Sequence, residues 1–376
     1  MKYKPFKDGV KLSRLGMGNM RLPILDGDAS RIDVPKARAL VDRCMAGGVN
    51  YYDTAYIYHG GQSEKFLGQA LASYPRESFY VADKFNLLAN PDYREQFGQQ
   101  LDRLGMDRID FYLLHSVQDG FIDQLLTNGC IDYFDGLKRA GAIRFLGFSY
   151  HGTPQALPKM LAAYPWDFVQ IQLNYYDWYC ESAQALYDQL TEAKIPVMVM
   201  EPVHGGLLAK LTDRAAELLQ AAGPGRSLAS WAMRWVLRLD NVQTVLSGMG
   251  DLSQVEENLK TFDECAPLTD EERRLTEQAA KIERDELTVA CTECRYCCPN
   301  CPAELDIPAL IRSYNEAKIG GAWRLRKLMD LPADKRPSAC VGCGSCTAHC
   351  PQSFGIPSYM SEMAEMMRPF EKPAAN

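Results

Sequence analysis

Asp53, Tyr58, Lys84 and His115 are four side chains able to bind or move a proton, and each stands at or just beyond an apolar, strand-like stretch. Asp53 closes VNYYD, Tyr58 follows in the next loop, Lys84 closes YVADK and His115 closes IDFYLLH. A phenol titrates near about 10 and is a poor donor at neutral pH unless a nearby cation favours phenolate. Lys84 supplies such a cation, Asp53 a counter-charge to hold it, and His115 a group that orients a carbonyl oxygen or shares its proton. The same residues also fit a structural reading, a buried Asp53–Lys84 ion pair with Tyr58 as packing.

Cysteine forms the second chemical pattern. Of the 13 cysteines, Cys291, Cys294, Cys297 and Cys301 are followed by Pro302, and Cys340, Cys343, Cys346 and Cys350 by Pro351, at the same spacing. That is the run of a bacterial two-cluster ferredoxin segment, whose fourth cysteine reaches the neighbouring cluster. It predicts Cys291, Cys294, Cys297 and Cys350 on one 4Fe-4S cluster and Cys340, Cys343, Cys346 and Cys301 on another. Structural zinc is the competing reading. Cys298 adjoins Cys297 and is either a ligand in its place or a buried thiol; the symmetric second run favours Cys297. Cys44, Cys130, Cys180 and Cys265 are scattered, and the clustering argues for a reducing compartment rather than a disulfide framework.

The elements that position the first pattern alternate along the chain. Strand-like stretches at Leu15–Gly18, Val49–Asp53, Phe79–Ala82, Ile109–Leu114, Ile143–Phe148, Phe168–Gln172, Val197–Met200 and Val242–Leu246 are separated by segments with helical spacing. Near-continuous apolar strands joined by helices call for a parallel sheet covered on its faces, and eight such units suit a closed (β/α)8 TIM barrel. An open doubly wound sheet is the alternative, without support from a GxGxxG after any strand. Ahead of them, Tyr3–Phe6 and Val10–Leu12 around Asp8-Gly9 read as a hairpin. The expected organisation is a barrel over residues 1–267, a charged linker helix at 268–285 and a mainly helical iron–sulfur domain at 286–376.

A chain of 376 residues with 47% hydrophobic and 24% charged composition builds a large core, and a net charge of −7 argues against general nucleic-acid binding. No apolar run reaches the roughly 18 residues of a membrane span, and the lysines near the start precede no apolar signal region. A cytoplasmic location is expected.

DTAYIY at 53–58 with Gly60 and Glu64, Lys84 and His115 after apolar strands, Gly147-Phe148-Ser149, Gln170 and Asn174, Pro202 with Gly206, and Gly248 with Glu257-Asn258 resemble the aldo/keto reductase superfamily over residues 1 to about 265. The resemblance implies a (β/α)8 barrel that binds NADP or NAD extended across its rim. It makes Tyr58 the general acid/base, tuned by Lys84 and Asp53, with His115 at the carbonyl. Ser149 and Gln170 would hold the nicotinamide carboxamide, Asn258 and Glu257 the adenine end, and backbone near Gly248 a phosphate. Two positions depart from the pattern. Met200 stands where an aromatic usually stacks on nicotinamide, and Gln254 where many relatives carry an arginine for the 2′-phosphate, which weakens the case for NADP over NAD.

With the cysteine runs, the chain resembles the ferredoxin-bearing branch of that superfamily. The expected function is an NAD(P)-dependent oxidoreductase interconverting a small aldehyde or ketone and its alcohol, with clusters available for electron transfer to a redox protein. The alternative is an iron–sulfur electron-transfer protein whose barrel docks a redox partner or binds another cofactor, a flavin included.

Overall fold

The structure, a computed structural model, describes residues 1–264 and 266–371. Cys265 and the final KPAAN, expected to fray, lie outside the described residues. The chain divides into two compact units, residues 1–203 with 219–277 and residues 204–218 with 278–376.

The first unit opens with the hairpin. Tyr3–Pro5 (β1) pairs antiparallel with Lys11–Ser13 (β2), and Asp8 and Gly9 between them take φ of 53° and 73°, the left-handed backbone that a tight turn of Asp-Gly type accommodates. Eight parallel strands then close into a barrel: β3 (Leu15–Gly18), β4 (Tyr51–Asp53), β5 (Tyr80–Phe85), β6 (Ile109–Val117), β7 (Ile143–Tyr150), β8 (Phe168–Gln172), β9 (Val197–Met200) and β10 (Val242–Ser247), with β10 hydrogen-bonded to β3. The open-sheet alternative is excluded by that closure. Helices alternate with the strands, as right-handed crossovers require.

Local signals explain the helices that matter for the site. Val34–Ala46 (α1) is capped by the Asp33 carboxylate, which accepts from Lys36 N–H, and stops at Gly47. Gln62–Leu71 (α2) buries Glu64, Phe66 and Leu67. Tyr93–Leu104 (α3) starts at Asp92, whose side chain accepts from the amides of Arg94 and Glu95 at 3.0 and 3.1 Å, and ends on Gly105 in the left-handed region. The two helices approach closely because residue 68 is glycine: a Cβ there would lie 2.2 Å from the Leu104 carbonyl oxygen.

The interior is filled at the N-terminal end of the strands by Tyr51, Phe111, Phe145, Phe168 and Met198, and the hairpin adds Val10 and Leu12 to the same cluster. Phe6 packs edge-on to Phe145 at 5.0 Å and against Phe111 at 5.5 Å. Each buried aromatic or aliphatic side chain of this kind contributes about 1.5–3 kcal/mol. The floor is therefore packed, and polar groups are left to the C-terminal rim.

The second unit is mainly helical. Ile307–Gly320, capped by Asp306, and Ile356–Met367 share a core of Ile307, Leu310, Ile311, Tyr314, Leu325, Met360 and Met363. Asn315 clasps Val289 through both its amide groups, at 2.8 Å each. Among the described residues no helix is long and apolar enough to cross a membrane.

Candidate active site

Parallel register converts four distant sequence positions into one constellation. Asp53 on β4 pairs with Ala82 on β5, which places Lys84 two residues further along, at the same rim. Lys84 is fully buried, and its Nζ donates to Asp53 Oδ1 at 2.6 Å and to the Thr54 carbonyl at 2.5 Å. The same ammonium lies 4.9 Å from the centre of the Tyr58 ring. Tyr58 begins a short turn, Tyr58–Gly61, whose tight course is marked by His59 at φ 52°. Its ring meets the imidazole of His115 edge-on, with centroids 5.8 Å apart.

His115 does not follow β6, as its sequence position suggested, but sits inside it. The β6–β7 register shifts between Leu114 and Val117, and Ser116 takes φ 53°. Such a bulge re-aims a side chain beside a functional site. Asn86 fixes the ring further, its Nδ2 lying 3.3 Å from His115 Nδ1. The Asn86 amide is the donor there, because its Oδ1 accepts from Ala89 N–H at 2.9 Å. Nδ1 is then an acceptor and Nε2 carries the proton. Asn86 was missed in the sequence although it lies two residues beyond Lys84, on the same face of the strand. Asn19, whose Nδ2 donates to the Asp53 carbonyl at 2.8 Å, carried no comparable signal.

Burial sets the protonation states. It pushes the Asp53 carboxyl up, against the pull of Lys84. It would push the Lys84 ammonium down, but Asp53 and then Tyr58 outweigh it and the net shift is upward. For Tyr58 burial is again the largest effect and raises the phenol; Lys84 acts in the lowering direction but does not prevail. Lys84 thus pulls the phenol in the direction expected of it while burial acts more strongly the other way, and Tyr58 stands in its acid form at neutral pH. His115 is driven well below the usual histidine range, first by burial and then by Lys84, and is neutral.

A second group occupies the adjoining rim. Ser149 and Gln170 are paired residues on β7 and β8. Ser149 Oγ accepts from Ser116 N–H at 2.8 Å, which leaves its hydroxyl proton to donate. Gln170 Nε2 lies 3.6 Å from Met200 Sδ, whereas its buried Oε1 meets no donor. A free acceptor beside a free hydroxyl donor matches the two ends of a carboxamide. After β10, Gly248 has the Arg21 side chain against it, and Arg21 Nη2 is 3.6 Å from Glu201. Gln254 Oε1 is engaged by Gly250 N–H at 2.8 Å. Asn258 turns inward and donates to Ser247 Oγ at 3.0 Å, and the half-buried Glu257 carboxyl is raised by burial.

In that unit the cysteines fall into two groups. Cys291, Cys294, Cys297 and Cys350 line one recess, and Cys301, Cys340, Cys343 and Cys346 another. Cys298 is partly buried and lines neither.

The model of the aldo/keto reductase family matches residues 14–281, and that of a 4Fe-4S dicluster domain matches residues 290–354. L-galactose dehydrogenase of Arabidopsis thaliana is 28% identical over 302 residues, covering 73% of this chain and 92% of its own. An NADH-specific methylglyoxal reductase of Escherichia coli is 26% identical, covering 66% and 90%. Among solved structures, the holo form of an aldo-keto reductase from Bacillus halodurans superposes with a TM-score of 0.63 at 28% identity, over 74% of this chain and 96% of that one.

The iron–sulfur expectation is corrected by the structure. Among the described residues no group of three or more His, Cys, Asp or Glu is arranged to hold a metal ion. Donors to an ion converge at about 2.3 Å for sulfur on zinc, whereas Cys291, Cys294, Cys297, Cys350, Cys340, Cys343, Cys346 and Cys301 stand as walls of two recesses. The sequence similarity over residues 290–354 stands; the two 4Fe-4S clusters, the ferredoxin-bearing assignment and the electron-transfer alternative built on them are not carried forward.

Proposed function

The chain belongs to the aldo/keto reductase family and performs NAD(P)-dependent interconversion of an aldehyde or ketone with its alcohol; on that premise we propose that Tyr58 is its proton donor and acceptor, Lys84 and Asp53 its electrostatic setting, and His115 its carbonyl ligand. The observation that carries this reading is the buried Lys84 ammonium, bonded to Asp53 at 2.6 Å and set 4.9 Å from the Tyr58 ring.

When bound, the nicotinamide supplies or accepts a hydride at the carbonyl carbon. The chain's own part is to manage the oxygen. The protonated Tyr58 hydroxyl gives its proton as negative charge grows on that oxygen, and the neighbouring ammonium stabilises the phenolate left behind. His115 Nε2–H donates to the same oxygen without carrying a charge of its own, since its ring is neutral. In alcohol oxidation the same groups act in reverse.

Ser149 and Gln170 would hold the carboxamide, supported by the unpartnered Gln170 Oε1, and Met200 would offer the nicotinamide ring a softer surface than an aromatic. Backbone at Gly248 would take a phosphate, with Gln254, Glu257 and Asn258 shaping the loop and helix toward the adenine end. Buried cysteines kept as thiols at Cys44 and Cys130 support a cytoplasmic location. We also propose that residues 1–267 carry the whole reaction, joined through 268–285 to the C-terminal region 286–376.

Tyr58→Phe tests the reading, because it deletes one hydroxyl. Turnover should fall by about 10²- to 10⁴-fold while NADH or NADPH binding, followed by fluorescence titration, is retained. Undiminished turnover of a carbonyl substrate would remove Tyr58 from the mechanism.

A further inference from the structure

Beneath the site lie two acids that the reaction does not use. Asp83, on β5 immediately before Lys84, and Glu64, on α2, are both fully buried, and each carboxyl lies within the other's electrostatic reach. Four bonds in their surroundings are unambiguous. Lys84 N–H donates to Asp83 Oδ1 at 2.8 Å, and Arg103 Nη1, from α3, donates to Glu64 Oε2 at 2.7 Å. On its other side the Lys84 carbonyl accepts from Gln100 Nε2 at 3.0 Å, and Gln100 Oε1 accepts from Tyr112.

The remaining oxygens are Asp83 Oδ2 and Glu64 Oε1, and neither has a hydrogen-bond partner among the groups around it. Two carboxylates have no proton to share, and two like charges buried close together cannot both persist. One proton must lie between them. The bonds point to Asp83 as its carrier: Glu64 is bonded to the Arg103 guanidinium, whereas Asp83 is bonded only to a backbone amide.

We propose that Asp83 is held as a neutral carboxylic acid, donating through Oδ2 to Glu64 Oε1, and that it acts as a positioning residue by gripping the backbone amide of Lys84. Every acceptor and donor in the chain from Arg103 through Glu64 and Asp83 to the Lys84 amide is then matched. The titratable and charged groups facing Asp83 from the elements packed on it are Glu64 on α2, Arg103 on α3 acting through Glu64, Tyr112 on β6 and Lys84 beside it. Burial, then Glu64, raises the Asp83 carboxyl well above its ordinary range, against the smaller opposing effects of Lys84. A raised group contributes stability that is complete below the ordinary carboxyl range and is lost as pH climbs through the folded value. The effect on turnover rests on the role given to Lys84 above; the proton on Asp83 does not.

Infrared spectroscopy of the full-length protein reads the proton directly, as the carbonyl stretch of a protonated acid at neutral pH. The band should be present in the unsubstituted protein and absent in Asp83→Asn, whose amide donates to Glu64 and accepts from Lys84 just as the neutral acid does. Asp83→Asn should also flatten the loss of stability on the alkaline side. Asp83→Ala should lower kcat by about tenfold or more, since small misplacements at a reacting centre are costly, with Asn recovering most of it. No acid band in the unsubstituted protein, or a band that survives Asp83→Asn, overturns the proposal. So does an Asn variant as impaired as the Ala variant. If Asp83→Ala fails to fold, the band and the Asn variant still decide. A fully active Lys84→Met protein would instead sink the catalytic role of Lys84 while leaving the band in place, so the two failures are distinguishable.

Discussion

The rim of the barrel and the cysteine-bearing unit hold the chain's two conspicuous chemical patterns, and the structure treats them differently. At the rim, residues from β4, β5 and β6 meet in bonds as short as 2.5 and 2.6 Å. In the second unit, eight cysteines at a regular spacing line two recesses, yet no metal-holding group forms among the described residues. Parallel strands have fixed register and rise, so a residue at a strand end has a defined place in space. The cysteines are carried by turns and by short helices such as Ser345–Ala348, where spacing along the chain specifies no comparable position.

The largest effect that would sharpen this contrast is at Lys84. Lys84→Met should reduce turnover by about 10²-fold or more, as removal of a transition-state electrostatic partner does, and raise the Tyr58 phenol further. The alkaline limb of carbonyl reduction, where the acid form of Tyr58 is lost, should therefore move to higher pH, read from a kcat profile. An unshifted limb with proton transfer rate-limiting would break the claim that the rim works as one unit. Iron and acid-labile sulfide analysis of protein prepared without oxygen tests the other half; stoichiometric amounts of both would break the contrast from that side.

Core deletion comes next. Met360, fully buried, belongs to the core of the second unit, and Met360→Ala should cost about 2–5 kcal/mol in chemical denaturation. The carbonyl reduction rate per folded molecule should be unchanged, and a large fall in it would show that the rim depends on the second unit.

A smaller effect concerns the nucleotide. Gln254 brings no cation and its oxygen is engaged by Gly250, so equilibrium titrations should show modest discrimination between NADH and NADPH. A preference for NADPH above about 100-fold, roughly 2.7 kcal/mol, would reveal another phosphate-binding group. Smallest of all, Arg312→Ala removes an exposed pair with Glu293 at 2.7 Å, and the melting temperature should barely move, because solvent screens such a pair.

The eight strands, their order of appearance and the four rim residues were legible in the sequence because apolar runs and their polar ends report directly on a buried parallel sheet. The hairpin was legible from Asp8-Gly9. What could not be read follows from contacts without local signatures. The bulge that re-aims His115 depends on pairing with β7, and the Arg103–Glu64 pair depends on how closely Gly68 lets α2 approach α3. The acid form of Tyr58 reflects burial winning over Lys84, a balance of magnitudes that spacing does not contain. At the cysteines, the spacing matched a sequence pattern but not the convergence of donors.

The packed floor made by Phe6, Val10 and Leu12 against Phe111 and Phe145 closes the N-terminal end of the barrel. Substrate, product and replacement protons for Tyr58 then share the entrance at the rim. Each proton given to a carbonyl oxygen is restored by traffic through the mouth that the departing alcohol also uses. Refilling Tyr58 and releasing product thus compete for the same passage, and the solvent isotope effect on turnover should report that queue as well as the chemical step.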